Sequence, residues 1–478
     1  MASMSMSRRA RERQEALWIP TTEFACAPGN PFYRRLNELL RGAEFDRKIE
    51  DLCEPFYADG KGRPSIAPGI YMRMLMVGYF EGIDSERGIA WRCADSLSLK
   101  EFLGYRPEEA TPDHSSLSRI RMRLNLETHQ AAFDLALSIV AEKGLLDGKS
   151  LGVDSTTMEA NAALRSIVRR DDGRGYDEFL TDLAEESGIE NPTRKDLAKI
   201  DRKRPKKGSN ADWESPTDPE ARIAKMKDGS TRLAHCAEHA VDMKTGAIIA
   251  ATIQDASVGD TTTIYSTLVR AFEVLVTVLT NAETEGLVHN DIGTEIIGDK
   301  GYHSNDTMET IAGIGCRSYI SEPDRGGRRW NDKEEARDAT YKNRARMKRE
   351  KGKGLMRKRG ELIERSFAHT MESGAMRRAH LRGHDNIMKR YHLHTAAFNL
   401  GLVMRSLVGA GTPKGLHGRR RGLFGHVCDL AAATIALLRE LSRLSPITPS
   451  FFRRFAMTCQ TSPFSARSPR NAAFSTAC

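Results

Sequence analysis

The segment 149–163, with the sequence KSLGVDSTTMEANAA, predicts a short buried strand that ends on an acid. Leu151, Gly152 and Val153 are the apolar residues of this strand, and Asp154 follows them directly. Ligands of open α/β sheets lie outside the carboxyl ends of the strands, so an acid at this point indicates a catalytic group. For the segment taken alone, an aspartate that begins a turn is the simpler interpretation. The pattern recurs further along the chain, and this recurrence favours the catalytic interpretation.

The composition is typical of a soluble globular protein with a basic excess. Of the 478 residues, 40% are hydrophobic and 29% are charged, and the net charge is +9. This length suits two to four domains. The eight cysteines form no close pair, which argues against a zinc knuckle or a disulfide framework and favours a reducing compartment. We find no secretory signal and no apolar run of about 18 residues, so we expect a cytoplasmic protein without a membrane span.

The first third of the chain predicts a helical domain. Residues 1–30 form a basic arm, and residues 31–147 carry helical periodicity around a central helix at 70–83 that is apolar nearly all round. A further helix begins at Pro112-Asp113 and carries Arg119 and Arg121 beside its apolar stripe. Short helices followed by a helix rich in arginine resemble a helix-turn-helix reader of DNA. A small all-α domain with solvated arginines is the alternative.

The rest of the chain predicts a mixed sheet, interrupted early and followed by helices. Residues 165–228 are charged and rich in Pro and Gly, which indicates a flexible basic insertion after the first strand. Two strands joined by a turn follow at 232–253, and a helix begins at Asp260. The next apolar strand, Ile296-Ile297-Gly298, again ends on an acid, Asp299, and one more strand occupies 316–321.

A strongly basic run precedes the third acid of interest. Residues 342–359 contain ten Lys or Arg and one acid, which is dense enough to favour binding of a polyanion. The run leads into a helix at 360–374 that carries Glu364 at the border of its apolar stripe. A long amphipathic helix at 383–409 follows, and residues 411–478 are predicted to be a basic helical tail.

Asp154, Asp299 and Glu364 can form one metal centre. If the first and fourth strands are neighbours, their ends lie about 5 Å apart, and a helix packed on the sheet can bring the glutamate alongside. Three carboxylates at such distances repel one another unless cations lie between them. Hard oxygen ligands suit Mg²⁺ or Mn²⁺, and two such ions catalyse phosphodiester displacement.

The sequence resembles bacterial insertion-sequence transposases of the DDE type, in the grouping of insertion-sequence families four and five and closest to the family eleven-eighty-two branch. The resemblance covers about 60–409. It is carried by GRPSIAPGIYMRMLMVGYFEGIDSERGIAWRC, TPDHSSLSRIRMRL, LGVDSTTMEANAA, IIGDKGYHS and ELIERSFAHTMESGAMRRAHLRGHDNIMKRYHLHTAAFNLG.

This resemblance implies an α+β chain with an RNase H-like mixed-sheet core at 148–410. It also implies that Asp154, Asp299 and Glu364 are the catalytic, metal-binding triad. The family commonly has a Tyr and an Arg ahead of the Glu and a Lys seven residues after it. Here Arg357, Gly360 and Met371 stand at the corresponding positions. Arg359 or Arg365 is therefore expected to take over the phosphate contact, and Glu361 is the alternative third acid.

The implied function is a DNA transposase that cuts at the ends of its insertion sequence and joins the 3′ ends to target DNA. Water attacks first, and a 3′-hydroxyl attacks second. The expected partner is double-stranded DNA, meaning terminal inverted repeats and target, bound by a homodimer on paired ends in the bacterial nucleoid. A catalytically degenerate repressor of related elements and a general RNase H-like nuclease are the alternatives. The predicted DNA contacts are Arg119, Arg121, Lys348, Arg349, Lys358, Arg359 and Arg365.

Overall fold

The computed structural model describes residues 29–58, 65–204, 208–226, 228–280, 286, 288–324, 326, 328 and 330–416. The predicted arm at 1–30 lies outside these ranges except for its last two residues, and the predicted tail at 411–478 lies outside them except for 411–416. The described residues belong to one compact unit of mixed α and β structure. The predicted α+β class is confirmed, and the domain boundaries stay predictions.

Seven helices form the amino-terminal part: α1 (Pro31–Gly42), α2 (Phe45–Cys53), α3 (Pro68–Glu81), α4 (Glu86–Ala94), α5 (Leu97–Leu103), α6 (His114–Arg123) and α7 (Leu126–Glu142). The sequence predicts α3 as the central helix, and eleven of its fourteen residues are buried. The predicted start of α6 is confirmed, since the side chain of Asp113 accepts a hydrogen bond from the backbone N–H of Ser116.

Eight strands follow: β1 (Ser150–Glu159), β2 (Val168–Arg169), β3 (Trp213–Glu214), β4 (Arg222–Lys225), β5 (Thr231–Asp242), β6 (Ile248–Asp255), β7 (Glu295–Gly298) and β8 (Arg317–Ile320). The main sheet has the order β4-β5-β1-β7-β8, and β6 pairs with β5 on the same edge as β4. β5 runs antiparallel to β1 and β6, whereas β1, β7 and β8 run parallel.

The remaining helices are α8 (Tyr176–Glu186), α9 (Arg194–Lys203), α10 (Asp260–Thr280), α11 (Asn305–Gly313), α12 (Glu334–Lys348), α13 (Glu350–Phe367) and α14 (His384–Val408). A π-helical segment, Ala368–Ser373, continues α13. By length and apolarity α10 would suffice to span a membrane. Its buried side chains pack on β5 and β6, which is the behaviour of a core helix in a globular protein.

Two predictions about this region differ from the structure. β1 does not end at Asp154, because its antiparallel pairing with β5 continues to Glu159, opposite Ala234. The insertion predicted to be flexible is folded in its described residues. Trp213 lies at the centre of a small apolar cluster there, with the rings of Tyr176 and Phe179 packed edge-on against it. The local excess of charge had hidden these aromatic residues.

α14 joins the helical part to the sheet. It contacts α3 and α7 on one side and β6 on the other, and fifteen of its twenty-five residues are buried. The sequence predicts an amphipathic helix here. The structure instead buries α14 nearly all round, because elements on both sides cover it.

Candidate active site

Asp154 and Asp299 belong to two neighbouring parallel segments of the chain. The parallel register pairs Gly152 of β1 with Ile297 of β7. Asp154 lies two residues beyond Gly152 within β1, and Asp299 lies two residues beyond Ile297, just past the end of β7, so the register leads to both acids at the same level of the sheet. Neighbouring strands are about 4.8 Å apart. β7 ends at Gly298 while β1 continues, and the end of β7 opens the sheet next to the two acids.

A short turn fixes the side chain of Asp299. This residue caps the 3₁₀ turn Lys300–Tyr302, and its Oδ1 accepts a hydrogen bond of 2.7 Å from the backbone N–H of Gly301. Tyr302 is buried, and its hydroxyl donates to Oε1 of Glu238 at 2.8 Å. Burial raises the pKa of Glu238, which favours its protonated form. The turn that carries Asp299 is therefore fastened to the interior of the sheet.

The helix α13 crosses the same face of the sheet. Ile363 packs on Gly152, where a Cβ atom would lie only 2.9 Å from its Cδ1. The Nε of Arg359 donates to the carbonyl of Val153 at 3.4 Å. Ser366 is within 2.9 Å of Nδ1 of His239, the β5 residue paired with Asp154. Two contacts with β1 and one with its neighbour β5 thus hold α13 on this face of the sheet.

Glu364 and Glu361 both lie on the exposed side of α13. Phe367, which stacks on His239 at 4.2 Å between ring centroids, and Leu362, which packs over Gly246 in the β5–β6 turn, belong to the side that faces the sheet. At about 100° per residue, Glu364 is about 60° from Phe367 and about 140° from Arg359 around the helix, and Glu361 is about 120° from Phe367 and about 160° from Arg359.

Glu364 and Glu361 also differ in their partners. The carboxylate of Glu361 pairs with Arg365 at 2.5 Å on the exposed side of α13. Glu364 is exposed, and no ion pair joins it to another residue in the described ranges. Of the two acids considered from the sequence, Glu361 is engaged in an ion pair and Glu364 is not, and the assignment of Glu364 as the third acid stays a prediction.

Arg359 lies directly on the first aspartate. Its Nη2 is 2.8 Å from Oδ2 of Asp154, and only 11% of the Arg359 side chain is exposed. In the described part of the chain, no three His, Cys, Asp or Glu side chains are grouped closely enough to hold a metal ion. The structure therefore sets the two aspartates abreast, with a guanidinium rather than Glu364 against Asp154.

About half of the basic run 342–359 is engaged within the protein. Arg344 pairs with Glu322, Arg346 bonds the carbonyl of Ser318, Lys351 pairs with Glu295, Lys353 with Glu350, and Arg359 with Asp154. Lys348, Arg349, Arg357 and Lys358 are exposed and have no ion pair within the described ranges. We call these four residues the α12–α13 basic surface. Arg365, also predicted to bind DNA, is held by Glu361.

The two arginines predicted to bind DNA from α6 have different surroundings. Arg119 is exposed, and its guanidinium bonds Ser115 and Ser116 of its own helix. Arg121 is 9% exposed and pairs with Glu86 on α4. Arg121 therefore fastens two helices together, and it is not carried into the DNA surface proposed below. In the sequence Arg121 has the pattern of a solvated arginine, because its partner Glu86 lies on another helix.

Sequence reasoning missed two residues near the aspartates. His239 lies in a segment predicted to be a strand, and the sequence assigns it no role in the site. In the structure it bonds Ser366 and the Tyr391 hydroxyl, and burial lowers its pKa to about 3. Asp260 was taken only as a helix start, yet its Oδ1 accepts from the Ser155 hydroxyl at 2.9 Å. No local motif marks either residue, because each approaches the site through pairing of distant elements.

Two segments of the chain match known protein families. Residues 23–123 match the family described as Transposase domain (DUF772), and residues 316–404 match the family described as Transposase DDE domain. The second match contains Glu364 but neither aspartate. No curated protein and no solved structure gives a match to the chain. The two family matches support an insertion-sequence transposase, a class of protein that binds DNA and carries out nucleotidyl-transfer or endonuclease chemistry.

Proposed function

We propose that the chain is the transposase of an insertion sequence in the grouping of families four and five, on the family eleven-eighty-two branch. It cuts DNA at the ends of its element and joins the 3′ ends to target DNA, using Asp154, Asp299 and Glu364. The observation that carries this proposal is the parallel β1–β7 pairing, which makes neighbours of the strands that lead to Asp154 and Asp299, with α13, the helix that bears Glu364, packed on β1.

The order of the strands supports an RNase H-like core. Leaving out the short strands of the insertion, the chain forms an antiparallel trio, β1, β5 and β6, and then adds β7 and β8 parallel to β1. The fourth of these core strands, β7, is thereby the neighbour of the first. This is the arrangement that the sequence argument requires for its two aspartates.

The side chains at the site suit a hard divalent cation. Two carboxylates abreast repel each other unless positive charge lies between or beside them, and at Asp154 that charge is now the guanidinium of Arg359. Asp154, Asp299 and Glu364 would hold Mg²⁺ or Mn²⁺ through oxygen ligands. When bound, such ions lower the pKa of an attacking water or hydroxyl and stabilise the leaving oxygen.

Within that reaction the protein's own residues bind and orient the DNA. Arg359 exchanges its carboxylate partner for a phosphate, because both ligands suit its planar guanidinium. The α12–α13 basic surface holds the backbone beside the cut, and Arg119 on α6 adds a contact from the helical part. A homodimer on paired element ends would bring two such sites to one target. A cytoplasmic location at the nucleoid remains part of this proposal.

A strand-cutting assay with purified protein tests the proposal. Duplex containing the element end, incubated with Mg²⁺, should be nicked at the end, and Asp154→Asn should abolish nicking while it retains DNA affinity. Binding without nicking would favour the repressor function. Nicking that is indifferent to the end sequence would favour a general nuclease.

A further inference from the structure

Asp260, in the first turn of α10, contacts residues that closely follow each of the two proposed catalytic aspartates, Ser155 and Gly301. Its Oδ1 accepts a hydrogen bond from the Ser155 hydroxyl at 2.9 Å. Its Oδ2 lies at Gly301, where an added Cβ would come within 2.6 Å of it. The same Cβ position is 3.0 Å from Oδ1 of Asp299. The carboxylate of Asp260 therefore occupies space that a side chain at position 301 would need.

These contacts continue on both sides to the catalytic acids. The backbone N–H of Ser155 donates to Oδ1 of Asp154 at 2.9 Å. The backbone N–H of Gly301 donates to Oδ1 of Asp299 at 2.7 Å. An unbroken path of contacts thus runs from Asp154 through Ser155, Asp260 and Gly301 to Asp299.

The support beneath this path is buried. Oε1 of Glu238 accepts hydrogen bonds from the hydroxyls of Thr263, in the first turn of α10, and Tyr302, in the Asp299 turn, both at 2.8 Å. One buried side chain therefore ties the helix start that carries Asp260 to the turn that carries Asp299. The position of Asp260 relative to Asp299 is set by the core rather than by the surface.

We infer that Asp260 is a positioning residue of the active site, which holds the Asp299 turn in place relative to Asp154. This inference rests on the proposed function for its catalytic consequence, and on the contacts above for its structural one. Asp260 acts through the shape and hydrogen bonding of its carboxylate, so an asparagine at this position should largely replace it. Gly301 lacks a side chain because Asp260 needs this space.

The test compares Asp260→Ala, Asp260→Asn, Ser155→Ala and Gly301→Ala in the full chain. Asp306→Asn is the control, since Asp306, like Asp260, is an acid in the first turn of a helix, and it is exposed on α11. Nicking turnover and DNA affinity are measured separately for each protein. Hydrogen exchange of peptides covering 299–303 is measured as well, and this measurement needs no catalysis.

Asp260→Ala and Gly301→Ala should lower turnover by about 10²-fold, as expected for a misplaced catalytic group, and should leave DNA affinity unchanged. Both should speed exchange at 299–303. Ser155→Ala should act in the same direction with a smaller effect, and Asp260→Asn should keep most of the turnover. Should Asp260→Ala fail to fold, the comparison of Ser155→Ala and Gly301→Ala still decides the matter.

Two results would overturn the inference. One is unchanged exchange and turnover in both Asp260→Ala and Gly301→Ala. The other is an Asp260→Asn protein as slow as Asp260→Ala, which would assign the role to the charge rather than to the geometry. If the wild-type protein nicks no DNA, the proposed function fails, and the exchange measurement alone decides the positioning role.

Discussion

The guanidinium of Arg359 on α13 lies 2.8 Å from the carboxylate of Asp154 on β1. The guanidinium thus pairs with the carboxylate that a divalent ion would need as a ligand. Arg359 and the ion compete for one carboxylate, and this competition can be measured.

Arg359→Gln should bind Mn²⁺ more tightly than the wild type and cut DNA more slowly. Removing the guanidinium frees Asp154 for the ion but also removes a phosphate contact. Titration followed by electron paramagnetic resonance measures the first effect, and we expect about a tenfold gain, as for one ion pair in partly screened surroundings. Arg357→Gln, on the exposed side of the same helix, is the control. Equal Mn²⁺ affinity in all three proteins would contradict the competition.

Glu364→Gln should reduce strand cutting by about 10³-fold or more, because a bound divalent ion stabilises the transition state by several kcal/mol. Glu361→Gln should cut nearly as well as the wild type, since Glu361 faces away and pairs with Arg365. Single-turnover nicking rates compare the two variants. The opposite ranking would move the third acid to Glu361.

The double variant Lys348→Gln, Arg349→Gln should weaken DNA binding more at low salt than at high salt. Each lost phosphate contact lowers the slope of log affinity against log salt concentration by about 0.9, so the expected change is about 1.8. Arg35→Gln is the control, because Arg35 is exposed on α1 and pairs with Glu38. A slope equal to that of the wild type would place the DNA elsewhere.

Buried His239 should make the protein less stable in mild acid. Burial lowers its pKa to about 3, whereas in the unfolded chain it is about 6.5. Below pH 6.5 the unfolded state binds a proton at His239 that the folded state does not bind. The free energy of unfolding therefore decreases as the pH is lowered, until the pH reaches the pKa of His239 in the folded state. From pH 6.5 to 5 the loss is about 2 kcal/mol for this residue.

Urea unfolding at several pH values measures this loss. His239→Gln should start from a lower stability, because its bonds to Ser366 and Tyr391 are lost, but its dependence on pH should be shallower. His392, also fully buried with a pKa of about 3, adds a slope of the same sign that the variant keeps. An unchanged slope in His239→Gln would show that His239 takes up protons in the folded state.

Local sequence patterns predict the helices and strands of this protein well. They predict less well which of these elements pair or pack with each other. The apolar triplets before Asp154 and Asp299 are visible as strands, because burial on both faces needs continuous apolar residues. The extension of β1 to Glu159 was missed, since that part of the strand depends on β5, more than seventy residues away. Its polar Ser and Thr residues favour a strand only once that partner is present.

In the candidate site, too, some residues can be predicted from local sequence and others cannot. Residues that follow a strand, such as Asp299, can be read from the sequence. Arg359 on Asp154, Arg121 on Glu86 and Asp260 on Ser155 each join two distant segments, and no spacing rule reveals such pairs. The charged insertion was misjudged for a related reason, because Trp213, the two aromatic residues around it and a few aliphatic ones form a small core among many charges.

The burial of α14 between the helical part and the sheet has a genetic consequence. A chain that stops before residue 384 lacks α14, so α3, α7 and β6 would lose the helix that they contact. Shortened copies of the gene would therefore yield no stable binding fragment. An inhibitor derived from this protein would have to arise by point substitution in a full-length chain, at residues such as Asp154.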